Sequence, residues 1–290
     1  GSMIVLNNGS APRYPSNSSV ILRVIVSIVF IPCIYIIARK GGFYFLALIN
    51  LMIFIGMLEF YNMMEWKGIR PYKGIGMLCA LALSWYVFFR NGIYANLLLT
   101  LVFLAIMCLE LTRKNRQMTI FHIATTIFGV IYVSFLGSHL LLLREFPTEL
   151  NIDYGMGSSF VFLAFLATWS GDTGAYIIGK SIGKHPLLPR VSEKKTIEGS
   201  LGGIACSLAG ALIARYTFAS FLETWQAVLI GLIGAVFGQL GDLVESMLKR
   251  DAQVKDASAT LPGHGGVLDR FDSLLFTAPL IYYFLKFVVY

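Results

Sequence analysis

Most residues of this 290-residue chain that could do chemistry lie between Trp169 and Ser273, in three clusters. The first is Ser170-Gly171-Asp172-Thr173-Gly174-Ala175-Tyr176, inside an apolar run. A carboxylate within a membrane span costs about 2.5–3.5 kcal/mol on insertion scales. Asp172 therefore reads as a cation ligand or proton site facing a wet cavity, or as a helix cap or buried hydrogen-bonded acid. The second cluster is the loop Gly179 to Ser200, with Val191-Ser192-Glu193-Lys194-Lys195-Thr196-Ile197-Glu198-Gly199. Paired lysines, hydroxyls and a glycine suit phosphate: point charges, plus backbone N–H groups at a helix start. The same lysines also suit a loop that only sets topology. The spacing is not that of a Walker P-loop, GxxxxGK followed by Ser or Thr.

The third cluster is the richest. It runs from Gln239 through Asp242, Glu245, Ser246, Lys249, Arg250 and Asp251, then Lys255-Asp256, to Pro262-Gly263-His264-Gly265-Gly266-Val267-Leu268-Asp269-Arg270-Phe271-Asp272-Ser273. On a helix, Gln239, Asp242, Ser246 and Lys249 share one face. A polar face in an apolar helix looks into a cavity or a bundle interior. Asp269 and Asp272 repeat the three-residue spacing at the mouth of the last apolar run, where Asp272 also suits a cap. Carboxylates from separate segments suit a hard cation such as Mg²⁺. The Gly263 to Gly266 turn lets backbone approach a ligand closely. His264 has no second His nearby, so zinc is not indicated.

Acids for a metal and bases for phosphates are the kit for phosphoryl or nucleotidyl transfer. Lys and Arg offset the repulsion between two polyanions, and a metal stabilises charge on the transferred group. The apolar surroundings point to a lipid as one substrate.

The composition supports this setting. The chain is 57% hydrophobic and 13% charged, with mean hydropathy +0.72; an average soluble domain has about 25% charged residues. An ordinary soluble enzyme, a disordered chain and a disulfide-rich module are excluded. The net charge of +7 fits basic cytoplasmic loops better than nucleic-acid binding. Cys33, Cys79, Cys108 and Cys206 lie in apolar runs without CxxC spacing and read as small core residues.

The fold expected is all-α: a polytopic integral membrane protein of about nine transmembrane helices. The apolar runs lie near 20–38, 42–64, 74–89, 93–111, 118–143, 158–179, 199–217, 225–248 and 273–290, each close to the length a span needs. Strands are not expected. Residues 1–19 read as a disordered tail or a cloning remnant. Residues 20–150 read as a transmembrane scaffold and 151–290 as the catalytic region, with a signature loop at 246–272. With the N-terminus on one side, loops on that side carry fifteen Lys and Arg, against five on the other, Arg144 among them. That bias makes the N-terminus and the active-site loops cytoplasmic and puts the C-terminus opposite.

The third cluster resembles the signature of phosphatidate cytidylyltransferases (CDP-diacylglycerol synthases). The matching residues are Ser246, Leu248-Lys249-Arg250, Lys255-Asp256, Ser258, Leu261-Pro262, His264-Gly265-Gly266-Val267 and Asp269-Arg270-Phe271-Asp272, with no departure over 27 positions. Asp172 to Tyr176, Gly179-Lys180, Gly183-Lys184 and Ser192 to Gly199 also resemble that family's upstream motifs, except for Glu193, where proline is expected. The similarity spans about 165–275. It implies that CTP and phosphatidate give CDP-diacylglycerol and pyrophosphate, with a divalent metal required and a monovalent cation such as K⁺ as a possible second ion. It further implies a homodimer among membrane lipids of the cell inner (plasma) membrane.

On that resemblance, Asp242 and Asp269 are first-choice metal ligands, with Asp172 and Asp272 as supporting or alternate ligands. Lys249, Arg250, Lys255 and Arg270 would hold phosphates, while Asp256 and His264 would order the signature loop. Ser192, Lys194, Lys195, Thr196, Glu198, Gly265 and Gly266 would contact the nucleotide or the leaving pyrophosphate. Two rivals remain at this point: a CTP-dependent lipid or polyprenol kinase, and a cation-coupled membrane transporter.

Overall fold

The computed structural model describes residues 31–89, 95–114, 117–254, 257–258 and 266–290, and these are almost wholly helical. The first three helices are α1 (31–40), α2 (Gly42–Trp66) and α3 (Lys73–Phe89). Next come α4 (Ala95–Leu111), α5 (Thr119–Gly129, continued by the π-helical turn Val130–Phe135) and α6 (His139–Leu150). The last four are α7 (Met156–Ile182), α8 (Ile197–Thr217), α9 (Thr224–Asp251) and α10 (Leu268–Phe284, continued by the π-helical turn Leu285–Val289). Among the described residues, α2, α7, α8, α9 and α10 with its continuation are long and apolar enough to cross a membrane. The chain is thus a multi-pass helical membrane protein.

Two expectations change in detail. The run 118–143 is not one straight helix: it bends by 45° between Phe135 and His139, and gives one further span only if both limbs are counted together. The loop after α7 is not irregular: Pro186–Leu188 (β1) pairs antiparallel with Ser192–Thr196 (β2). Most of the run 20–38 and the Arg90-Asn91-Gly92 turn lie outside the described residues.

The described residues form two compact units, interleaved in sequence. One contains 31–33, Leu46–Ser138 and Leu248–Arg270. Its core is aromatic. Tyr61 of α2 is fully buried, fits against glycines of α3 and α5 (Gly76, Gly129), and donates to Thr126 O at 2.8 Å. Phe60, Phe128 and Tyr132 cluster beside it. Ser134, in the π-helical turn, donates to Ala80 O of α3 at 2.6 Å.

The other unit contains Ile34–Phe45, His139–Met247 and Phe271–Tyr290. Here α7 and α8 meet along a seam of small residues, which lets helix backbones approach closely where lipid supplies no hydrophobic drive. A Cβ at Gly174 would stand 2.5 Å from Cys206 Sγ. Ser207 Oγ lies 2.7 Å from the carbonyls of Ala167 and Gly231, tying α8 to α7 and α9. Thr168 and Thr277 hydrogen-bond at 2.8 Å, tying α7 to α10.

Arg144 was expected in a loop; it is fully buried instead. A buried guanidinium needs partners, and carbonyls supply them. It donates to Ala38 O at 2.6 Å, Tyr154 O at 3.1 Å and Arg39 O at 3.3 Å, and lies 4.0 Å over the Tyr154 ring. Two of those carbonyls end α1, where helical partners run out. Gly41, at φ +66°, makes room: a Cβ there would meet the guanidinium at 2.2 Å. Burial, then the hydrogen bond to Glu145, raises the pKa of the Tyr154 hydroxyl, so it stays a donor to Glu145 at 2.8 Å. Among the cysteines, Cys33 and Cys108 are exposed rather than in the core; on a membrane protein that surface suits lipid.

Candidate active site

Thr196 ends β2 and begins α8. Its extended backbone and its side chain, which accepts from Gly199 N at 3.1 Å, make it the N-cap, as the Ser/Thr preference at that position predicts. The hairpin is held at its base by Ile197 N donating to His185 O at 2.9 Å. Glu198 accepts from Lys184 N at 3.1 Å and His185 N at 3.3 Å, and its carboxylate lies 2.6 Å from His185 Nδ1. Expected among the substrate contacts, Glu198 therefore braces the hairpin, and it does not line the cavity described next.

Between this hairpin, α7, α8 and α9 lies a cavity of about 620 Å³, within the roughly 300–1,000 Å³ of small-molecule sites. Its lining includes Lys180, Lys194 and Lys195, with Asp172 and Asp242 facing the same space. Ser192, Thr196, Gly199 and Ser200 add hydroxyls and the N-terminal end of α8, whose positive dipole end favours anions. Gln239 orients α9 against α8: Nε2 donates to Ser200 O at 3.1 Å, and the Ser200 hydroxyl donates to Gln239 Oε1. Five expected residues of this unit (Asp172, Ser192, Lys194, Lys195, Thr196) thus come together with Asp242.

Carboxylate oxygens of Asp242, Glu245 and Asp272 all lie within 4.8 Å of one another. Glu245 and Asp272 are buried. Charges this close repel by roughly 3 kcal/mol per pair at an effective dielectric near 20. A cation relieves that cost, and oxygen donors in this number suit a hard divalent ion; the residues fit one. Lys195 supplies part of the compensation, with Nζ 2.7 Å from Asp242 Oδ2. Ser246 Oγ lies 3.4 Å from Asp242 Oδ1, and Ser273 Oγ lies 3.4 Å from Asp172 Oδ1. Sequence reasoning passed over Glu245. The signal was present: it stands three residues after Asp242, one helical turn along.

The other unit holds the basic end of α9 and the first turn of α10. Lys249 Nζ lies 2.7 Å from Asp269 Oδ1. Asp269 also accepts from Gly266 N at 2.7 Å and Ala257 N at 3.3 Å. Asp269, expected as a metal ligand, has its carboxylate bonded here to chain that precedes it. Arg250 and Arg270 are exposed. A second missed residue appears here: Glu59 of α2, buried at 2% exposure, accepts from Val267 N at 3.0 Å and Leu268 N at 2.8 Å. No local motif announces it. Lys255, Asp256, His264 and Gly265 lie outside the described residues.

Comparison with known proteins adds a family. Residues 21–288 match the cytidylyltransferase family. Over 125 residues the chain is 50% identical to a phosphatidate cytidylyltransferase of Staphylococcus haemolyticus, covering 43% of this chain and 48% of that protein. Over 168 residues it is 42% identical to that of Staphylococcus epidermidis and 43% identical to that of Staphylococcus aureus, covering 58% of this chain and 60% of each. The matched stretches thus span about half to three-fifths of those relatives' length.

Proposed function

The chain belongs to the cytidylyltransferase family, and we propose that it transfers the cytidylyl group of CTP to phosphatidate, giving CDP-diacylglycerol and pyrophosphate for phospholipid synthesis. The observation that carries this reading is the joining of lysines with Asp172 and Asp242 in one cavity, Asp242 being also one of three carboxylates whose oxygens lie within 4.8 Å of one another. The names of the staphylococcal relatives support the choice of substrates.

In the reaction, an oxygen of the lipid phosphate attacks the α-phosphorus of CTP. The bond from that phosphorus to the oxygen bridging to the β-phosphorus breaks, and its electron pair leaves with pyrophosphate. The attacking oxygen is already anionic, so no side-chain nucleophile is required. The protein contributes position and charge compensation. Lys180, Lys194 and Lys195 would hold the triphosphate, with Ser192, Thr196 and the N-terminus of α8 orienting it. Lys249, Arg250 and Arg270 remain candidates for holding phosphate, of CTP or of the lipid. Asp242, Glu245 and Asp272 would hold Mg²⁺, whose charge would offset that of the phosphates. Asp172 would serve as a supporting or alternate ligand, with a monovalent cation such as K⁺ as a second ion.

The same reading includes nine spans, a homodimer and a plasma-membrane location with the cavity on the cytoplasmic side. Hydropathy runs and the bias of basic residues support the span count and the orientation.

The test is product identity. Purified protein in detergent receives CTP, phosphatidate and Mg²⁺, and soluble products are separated. One pyrophosphate per CTP consumed is expected. CDP as the nucleotide product would mean phosphoryl transfer and would overturn the reading.

A further inference from the structure

We propose that Glu59, in the N-terminal half, is a positioning residue for the phosphate-handling segment at the start of α10; this rests on the cytidylyl-transfer reading. Glu59 lies within the apolar helix α2 and is 2% exposed, where a carboxylate is costly unless its oxygens are used. Among the described residues, their hydrogen bonds all go to the signature segment. Oε1 accepts from Val267 N at 3.0 Å and from the Ser258 hydroxyl, and Oε2 accepts from Leu268 N at 2.8 Å. Val267 and Leu268 open α10, whose first N–H groups have no helical partner. An acidic side chain from another helix does the work of a cap, and its charge suits the positive end of the helix dipole.

The clasp is double. Asp269, the residue after Leu268, accepts from Gly266 N at 2.7 Å and Ala257 N at 3.3 Å. Glu59 thus binds Ser258, Val267 and Leu268, while Asp269 binds their neighbours Ala257 and Gly266. Gly266 is held between the two acids: a Cβ there would stand 2.7 Å from Glu59 Oε2 and 3.1 Å from Asp269 Oδ2. The backbone from which Asp269 and Arg270 project is therefore set from α2. Lys249, at 2.7 Å from Asp269, is fixed by the same arrangement.

The experiment uses the full chain in detergent with Glu59→Gln, Glu59→Asp and Gly266→Ala. Glu59→Gln keeps the shape, removes the charge and replaces one acceptor with a donor. Gly266→Ala perturbs the same clasp from the α10 side, leaving every residue of α2 unsubstituted. Two readouts are taken: kcat and KM for CTP, and hydrogen–deuterium exchange of peptides covering 266–269. The expected result is faster exchange there in Glu59→Gln and Gly266→Ala. With it, kcat falls by about 10²-fold, the scale of a small misplacement of a catalytic group. The KM for CTP stays within about threefold, since Lys194 and Lys195 are untouched, and Glu59→Asp recovers part of the loss. Exchange that is unchanged in both variants, or changed with kcat within twofold of the parent, overturns the proposal. A parent protein that makes no pyrophosphate from CTP defeats the functional reading instead, and exchange still reports whether Glu59 holds the segment.

Discussion

Lys195 Nζ lies 2.7 Å from Asp242 Oδ2, so the hairpin lysine sits on the very carboxylate that the three-acid group offers to a cation. One positive charge from the protein stands where a divalent ion would bring two. On the proposed reading an ion bound at Asp242 would compete with the lysine, and a lysine displaced from it would be free to meet phosphate.

That competition predicts the sign of a metal-binding change. Lys195→Met should bind Mg²⁺ or Mn²⁺ more tightly in the absence of nucleotide. The pair is partly exposed, at 23% and 38% for the two side chains, so its strength is about 0.2–1 kcal/mol. That corresponds to at most about a fivefold gain. Isothermal titration measures it, and the KM for CTP should rise in the same variant. Weaker ion binding would show that Lys195 supports the ion rather than opposing it.

Glu245 separates the structural account from the sequence motif. Asp242 and Asp272 are chosen by either, whereas Glu245 is chosen by its buried place within 4.8 Å of both. Glu245→Gln should lower kcat by about 10²–10³-fold, the loss typical of one electrostatic contributor, and higher Mg²⁺ should restore part of it. Turnover that ignores both the substitution and the Mg²⁺ concentration would remove Glu245 from the ion site.

Two glycines give opposite stability predictions. A Cβ at Gly174 would meet Cys206 Sγ at 2.5 Å and Gly202 O at 2.9 Å, whereas one at Gly74 meets nothing within 4 Å. Gly174→Ala should destabilise by about 1–3 kcal/mol through overpacking. Gly74→Ala, in the first turn of α3, should stabilise by up to about 0.5 kcal/mol. Thermal unfolding in detergent checks both signs.

Arg144 gives the most severe structural prediction. Arg144→Met strands three carbonyls that now accept from it. Each unsatisfied group costs about 1–3 kcal/mol. Arg144→Lys should rescue little, since an ammonium lacks the planar fork that reaches Ala38 O and Tyr154 O together. Yield of monodisperse protein and its unfolding temperature report the outcome; near-parental stability of Arg144→Met would contradict the assigned role.

Hydropathy located the helices well because it reads the feature that makes them. The expected run 42–64 is α2, Gly42–Trp66, and the run 225–248 is most of α9, Thr224–Asp251. It did not locate the bend at 136–138, because the uncharged run continues through the turn as far as Leu143. Arg144 counted as a loop residue for the same reason: charge in a sequence carries no sign of carbonyls waiting for it more than a hundred residues away. The short hairpin before α8 was hidden because β1 has only three residues. At the site, Asp172, Asp242, Lys194 and Lys195 were legible as polar residues at helical or loop spacing. Glu59 was not, since its partners are backbone N–H groups 208 and 209 positions along the chain.

The central claim is tested most directly with CTP labelled at the α-phosphorus. Parent protein and Asp242→Asn, each shown to be folded, receive labelled CTP, phosphatidate and Mg²⁺, and the lipid is extracted. The account predicts label in the lipid fraction of the parent, in step with pyrophosphate release, and at least about a hundredfold less with Asp242→Asn. Label that stays in the aqueous phase while CTP remains intact in the parent, across varied phosphatidates, would contradict it.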